Sequence, residues 1–75
     1  MKKLRISGAG LLAAREERGM SRAEVVRALA KKYGIQIAAE TLWRWEHDKT
    51  AISALHLEAL IGVYLVRRSA VVEVK

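Results

Sequence analysis

Over most of its length this chain repeats its apolar positions at helical rather than strand spacing. Between Ser7 and about Arg18, Leu11, Leu12 and Arg15 fall on one side of a predicted helix, with Ser7 as its cap and Gly19 where a left-handed stop belongs. Ser21 and Glu24 have the spacing of a capping box, and Met20 and Val25 flank it as a hydrophobic staple, so a second helix starts there. Its pattern turns Val25, Val26, Leu29, Ala30 and Tyr33 inward and Arg22, Arg27, Lys31 and Lys32 outward, and Gly34 ends it. After a connection over Ile35 to Ala38, a third helix is predicted from Ala39 to His47. Leu42, Trp45 and Glu46 share one of its faces, while Glu40, Trp43, Arg44 and His47 share the other. That is the layout of a helix that packs with one side and reads a surface with the opposite one. A polar run, His47-Asp48-Lys49-Thr50, closes it. Ser53 caps a fourth helix through about Leu65, whose stripe of Leu57, Leu60, Ile61 and Tyr64 covers the first three. Gly62 inside that helix implies a close approach by a neighbouring one.

The two ends follow a different rhythm. Lys3 to Ser7 alternates polar and apolar residues, as a short strand or a basic arm would, and Ala70 to Lys75 is β-branched and strand-like. Leu4 and Ile6 share one face of an extended strand, as do Val72 and Val74. Either segment alone is an edge too short to be stable, so the two are expected to pair with each other or across a dimer. With no internal repeat or linker, residues 1 to 75 form one domain: a helical core over 7 to 65, an arm or strand over 1 to 6 and a strand-like tail over 66 to 75. The expected fold class is all-α, a compact four-helix domain, with short terminal β-strands as an option.

Composition narrows the function. A domain of this size buries only about 60% of the surface its unfolded chain exposes, so its core must be economical. Apolar residues are 52% of the chain and Pro is absent, which argues for a compact helical domain and against disorder. Because Phe is absent too, two Trp and two Tyr supply the bulk unless one is spent on a surface, and Trp43 is the first candidate, whereas Trp45 belongs to the core. There is no Cys, and His47 and His56 have no partners at metal-ligand spacing, so neither a metal nor a cofactor is expected. His47 suits either a helix cap or a phosphate contact, and His56 a solvated helix position. The apolar stretch Leu57 to Val66 is interrupted by Glu58 and Gly62 and is too short to cross a bilayer. Without a signal-peptide pattern, the cytoplasm is the expected location. No nucleophile–base pair, phosphate loop or carboxylate pair emerges, so catalysis is not expected.

Charge adds a direction to the picture. The net charge is +6, and all of it resides in residues 1 to 32, which hold nine Lys or Arg against three Glu; the remainder is neutral. An anionic partner would meet the amino-terminal half first.

Three local patterns, REERGMSRAE across the first two helices, TLWRWEHDKT in the third helix and its loop, and LEAL in the fourth, occur in an order and spacing that resemble the phage-repressor helix-turn-helix. This is the Cro and lambda-repressor-like family, often called XRE-like, and the resemblance covers about residues 7 to 65. The second helix and the connection after it run longer than the common family pattern, and Val26 stands where the family prefers a small residue. The resemblance implies a structural ion pair between Arg15 and Glu46. It further implies phosphate contacts from Arg22 and Lys49, and an approach to bases and flanking backbone by Ala39, Glu40, Thr41, Trp43 and Arg44. The chemistry of these side chains agrees. Arg44 suits bidentate pairing with guanine or a phosphate, Glu40 can accept from cytosine N4, and Trp43 can pack on a sugar, a thymine methyl or a neighbouring protein. Equally, Glu40 and Arg44 are spaced to form a surface helix pair. The resulting expectation is a sequence-specific regulator of transcription that binds double-stranded DNA as a homodimer. The alternative is a protein-interaction module that binds RNA polymerase, a toxin or another regulator through Trp43 and the apolar terminal segments.

Overall fold

Serine caps explain three of the four helix starts. In the computed structural model, which describes residues 4–74, α1 (Gly8–Glu17) begins where Ser7 Oγ accepts from the Gly10 amide at 3.0 Å. The sequence-predicted box opens α2 (Arg22–Tyr33): Ser21 Oγ accepts from the Glu24 amide at 3.1 Å and Glu24 Oε1 accepts from the Ser21 amide at 2.9 Å. Ser53 caps α4 (Ala54–Tyr64) through the His56 amide. The third helix, α3 (Ala39–Glu46), begins at Ala38 without any side-chain cap. Gly19 and Gly34 both take φ +67°, as their positions after α1 and α2 predicted. Lys2, Lys3 and Lys75, which entered the charge reading, lie outside the described residues.

The helices close around Leu11 and Ala14 of α1, Val25 and Leu29 of α2, Leu42 and Trp45 of α3, and Leu57, Ala59, Leu60, Val63 and Tyr64 of α4. Fully burying a Leu or Val side chain stabilises by about 1.5–3 kcal/mol, so this cluster is the main force holding the fold. α3 is held by both α1 and α2, and α4 packs on α2. Trp45 is a core residue, as expected, and its ring tilts against His56 at 5.2 Å. His56 is therefore half-buried rather than solvated, with Nδ1 2.7 Å from Ser53 Oγ.

At the ends, β1 (Leu4–Ile6) and β2 (Val72–Val74) pair antiparallel within one chain, with Leu4 opposite Val74 and Ile6 opposite Val72. The Ser7 amide continues the ladder by donating to the Val71 carbonyl at 2.6 Å. Of the two pairings expected for these segments, the structure has the intramolecular one. A 3₁₀ turn, Arg68–Ala70, brings the chain back to β1 and seats Val71, fully buried, in the core. The helices end at Tyr64, and the described part of the strand-like tail, 66 to 74, holds the turn and β2; Val71 within it belongs to the core. The whole is a four-helix, all-α domain with a two-stranded ribbon at its termini. No helix among the described residues is long and apolar enough to cross a membrane.

Two side chains of α2 depart from their predicted faces. Tyr33, assigned inward, is 42% exposed because it lies across Gly62, where an added Cβ would strike its hydroxyl. The close approach that Gly62 implied is thus made by one aromatic side chain. Arg22, assigned outward, is half-buried and bound to α3.

Candidate functional site

α3 is fastened from inside through a single carboxylate. Glu46 is fully buried at its side chain and accepts from Arg15 Nε at 2.7 Å through Oε2 and from Arg22 Nε at 2.8 Å through Oε1. A carboxylate has about four acceptor sites, so two guanidinium groups can be served by one buried acid. Arg15 also donates from Nη1 to the Met20 carbonyl at 2.9 Å, tying the turn between α1 and α2 to the same hub. The sequence-predicted pair of Arg15 and Glu46 is present; the second arginine was not foreseen. Its signal was available, because Arg22 is the first residue of α2 and a buried carboxylate with one donor leaves acceptor sites unmet.

Tyr64 of α4 lies under this hub. Its hydroxyl is buried and has no hydrogen-bond partner among the described residues. Burial pushes the phenol well above the ordinary tyrosine value, and the nearby Glu46 carboxylate pushes the same way, against Arg15 and Arg22. At the exposed start of α2, hydrogen bonds from the Ser21 backbone and hydroxyl hold the Glu24 carboxyl below its ordinary value.

The loop after α3 supplies a second fastening. Asp48 adopts φ 55°, and its Oδ1 accepts from the Gly8 amide at 3.2 Å, joining the end of α3 to the start of α1 across forty residues. The approach is so close that a Cβ on Gly8 would sit 2.7 Å from Asp48 Oδ1 and from the carbonyls of Glu46 and Trp45. The sequence reading missed this contact; an Asp just past a helix end, able to adopt left-handed backbone, was the available signal.

The opposite face of α3 is open. Glu40, Trp43, Arg44 and His47 are all exposed, as their spacing predicted. Arg44 Nη2 contacts Glu40 Oε1 at 3.0 Å, so the surface pair foreseen for these residues is formed. Trp43 and His47 stack with ring centroids 4.1 Å apart and planes 18° from parallel, and His47 Nδ1 lies 2.8 Å from the Trp43 carbonyl oxygen. Of the two roles open to His47, capping the helix is the one seen. Ala39 is exposed at the helix start, and Thr41 is half-buried with its amide on the Ala38 carbonyl at 3.0 Å. The uncapped amides there, beside two small alanines, form the kind of helix start that accepts an anion. Lys49 is exposed in the loop after α3, while Arg22 reaches the same helix from inside with its side chain 32% exposed. The predicted contact residues thus divide into an outer set on α3 and its loop and one, Arg22, already engaged by Glu46. Lys32 turns to α4, its Nζ 3.3 Å from the Gly62 carbonyl.

Among the described residues, no group of three or more His, Cys, Asp or Glu could hold a metal ion. Compared with protein-family models, curated proteins and solved structures, the chain matches none.

Proposed function

We propose that this protein is a sequence-specific transcriptional regulator of the Cro and lambda-repressor-like type, acting in the cytoplasm as a homodimer with α3 in the major groove of double-stranded DNA. The observation that carries the reading is the division of α3. One face is locked into the domain by Leu42, Trp45 and the doubly bound Glu46, and the other offers Arg44, Glu40 and Trp43 to a partner. In this reading Arg44 leaves Glu40 to pair with a guanine or a phosphate, and Glu40 accepts from a cytosine N4. Ala39, Thr41 and the open start of α3 lie against the backbone. Lys49 and the exposed part of Arg22 meet phosphates, which supply affinity and register without sequence preference. The excess positive charge of residues 1 to 32 attracts the duplex to the chain from a distance. Two copies would bind half-sites about one helical turn apart.

Selection from randomised duplex DNA tests the reading. A recovered palindrome with two short half-sites supports it, and a pool without enrichment overturns it.

One observation favours a second reading, a protein-interaction module. Tyr33, Ile35, Leu55, Glu58 and Ala59 line a mostly apolar groove of about 340 Å³, and Leu55 is 67% exposed. The terminal segments expected to share that role are paired with each other. Salt separates the readings, because DNA binding weakens steeply as salt rises whereas apolar docking does not.

A further inference from the structure

The aromatic pair on the outer face of α3 is built unlike a solvated surface. Trp43 is 39% exposed, and an exposed indole ordinarily samples several rotamers. Here its ring lies against the His47 imidazole, one turn further along the helix, at 4.1 Å and 18°. The imidazole is itself held at the Trp43 carbonyl, 2.8 Å from Nδ1; a carbonyl oxygen only accepts, so Nδ1 carries the proton in that contact. The two residues thus form one two-layer aromatic plate, ring stacked on ring, whose orientation is set by folding, so a partner meets it already ordered. Beside the plate, Arg44 and Glu40 make a polar pair that can exchange partners. The face is therefore half charged and half apolar.

On a major-groove surface the base edges offer polar groups to Arg44 and Glu40 but only one apolar group, the C5 methyl of thymine. Resting on the DNA-binding reading above, we propose that Trp43 recognises a thymine methyl in the site and that His47 is the positioning residue that keeps the indole flat against it. Selectivity at that base pair comes from the apolar plate, and selectivity at the neighbouring one from Arg44.

Replacing thymine by deoxyuridine, one position at a time in the selected duplex, removes the methyl and nothing else. Wild type is expected to lose about fourfold in affinity at one thymine per half-site, the effect of one buried methyl-sized group. Trp43→Ala should bind the thymine and uracil duplexes equally. His47→Ala should reduce the thymine-to-uracil ratio while lowering the melting temperature by only a few degrees, and His47→Phe, which keeps an aromatic partner for the indole, should restore the ratio. The ratio is the readout that a purely structural role for His47 would not move. If wild type ignores every replacement while Arg44→Ala still relaxes preference at one base pair, the methyl assignment is overturned and the DNA-binding reading stands. If wild type selects no duplex, both are overturned.

Discussion

Two glutamates on the same short helix, Glu40 and Glu46, each bind arginine at similar distance, yet they do different work. Glu46 is fully buried at its side chain and held by Arg15 and Arg22 at 2.7 and 2.8 Å; Glu40 is 73% exposed and meets Arg44 at 3.0 Å. Distance does not separate these pairs, but solvent does. In the interior, removing one partner strands a desolvated charge at a cost of about 3–5 kcal/mol, even where the intact pair adds little net stability. At the surface, water replaces the lost partner, and an i,i+4 pair is worth about 0.3–0.5 kcal/mol. The first pair fixes where α3 sits. The second can be given up for another partner at almost no cost, which is what a reading surface requires.

The sharpest way to break this comparison is Glu46→Ala. Because Arg15 and Arg22 retain some access to water, a loss of about 3 kcal/mol is expected, lowering the melting temperature by roughly 15 °C in a domain of this size. Arg15→Ala should cost somewhat less, and the double variant less than the two singles summed. Thermal melts decide it; strict additivity would show that Arg15 and Glu46 are not energetically coupled. Arg22→Ala should cost about 1 kcal/mol, since its side chain is more exposed than that of Arg15 and the carboxylate keeps one donor. It should also flatten the salt dependence of DNA binding by roughly one counterion, as Lys49→Ala should, but only Arg22→Ala should lower the melting temperature.

Tyr64 sharpens the comparison from the alkaline side. Its folded form holds the phenol proton beyond the ordinary tyrosine value of 10.0, while the unfolded chain releases it there. Stability is therefore full below about pH 10 and falls as pH rises past it. Tyr64→Phe should remove that part of the alkaline loss. At neutral pH it should be neutral or stabilise by up to about 1 kcal/mol, since the buried hydroxyl has no partner among the described residues to lose. Denaturant titrations of both proteins across pH 7 to 11 read this, and parallel curves would dissociate the phenol from the effect. The smallest effects belong to the outer pair: Glu40→Ala and Arg44→Ala should each shift stability by no more than about 0.5 kcal/mol.

Local chemistry carried most of the fold into the sequence. The capping box at Ser21 and Glu24, the glycine stops and the split of α3 into Leu42, Trp45 and Glu46 against Glu40, Trp43, Arg44 and His47 all follow from short-range spacing, and all are present. What sequence spacing could not carry were contacts between distant residues. The pairing of Arg15 with Glu46 was expected only through a family resemblance, and the second arginine, 24 residues from Glu46, was read as a solvent-facing charge. Asp48 reaching Gly8 and Val71 entering the core depend on where separate elements meet. Tyr33 fits the apolar stripe of α2 by period, but its ring is drawn out over Gly62, a packing choice that only the neighbouring helix sets.

The central claim is that the outer face of α3 reads bases while the inner face only holds the helix. Equilibrium titration of wild type and Arg44→Ala against the selected duplex and its single-base variants, at several salt concentrations, tests it most directly. The account predicts that Arg44→Ala loses about 1–3 kcal/mol on the selected duplex, relaxes preference at one base pair and melts as wild type does. If Arg44→Ala binds every duplex as wild type does, the outer face of α3 is not the reading surface.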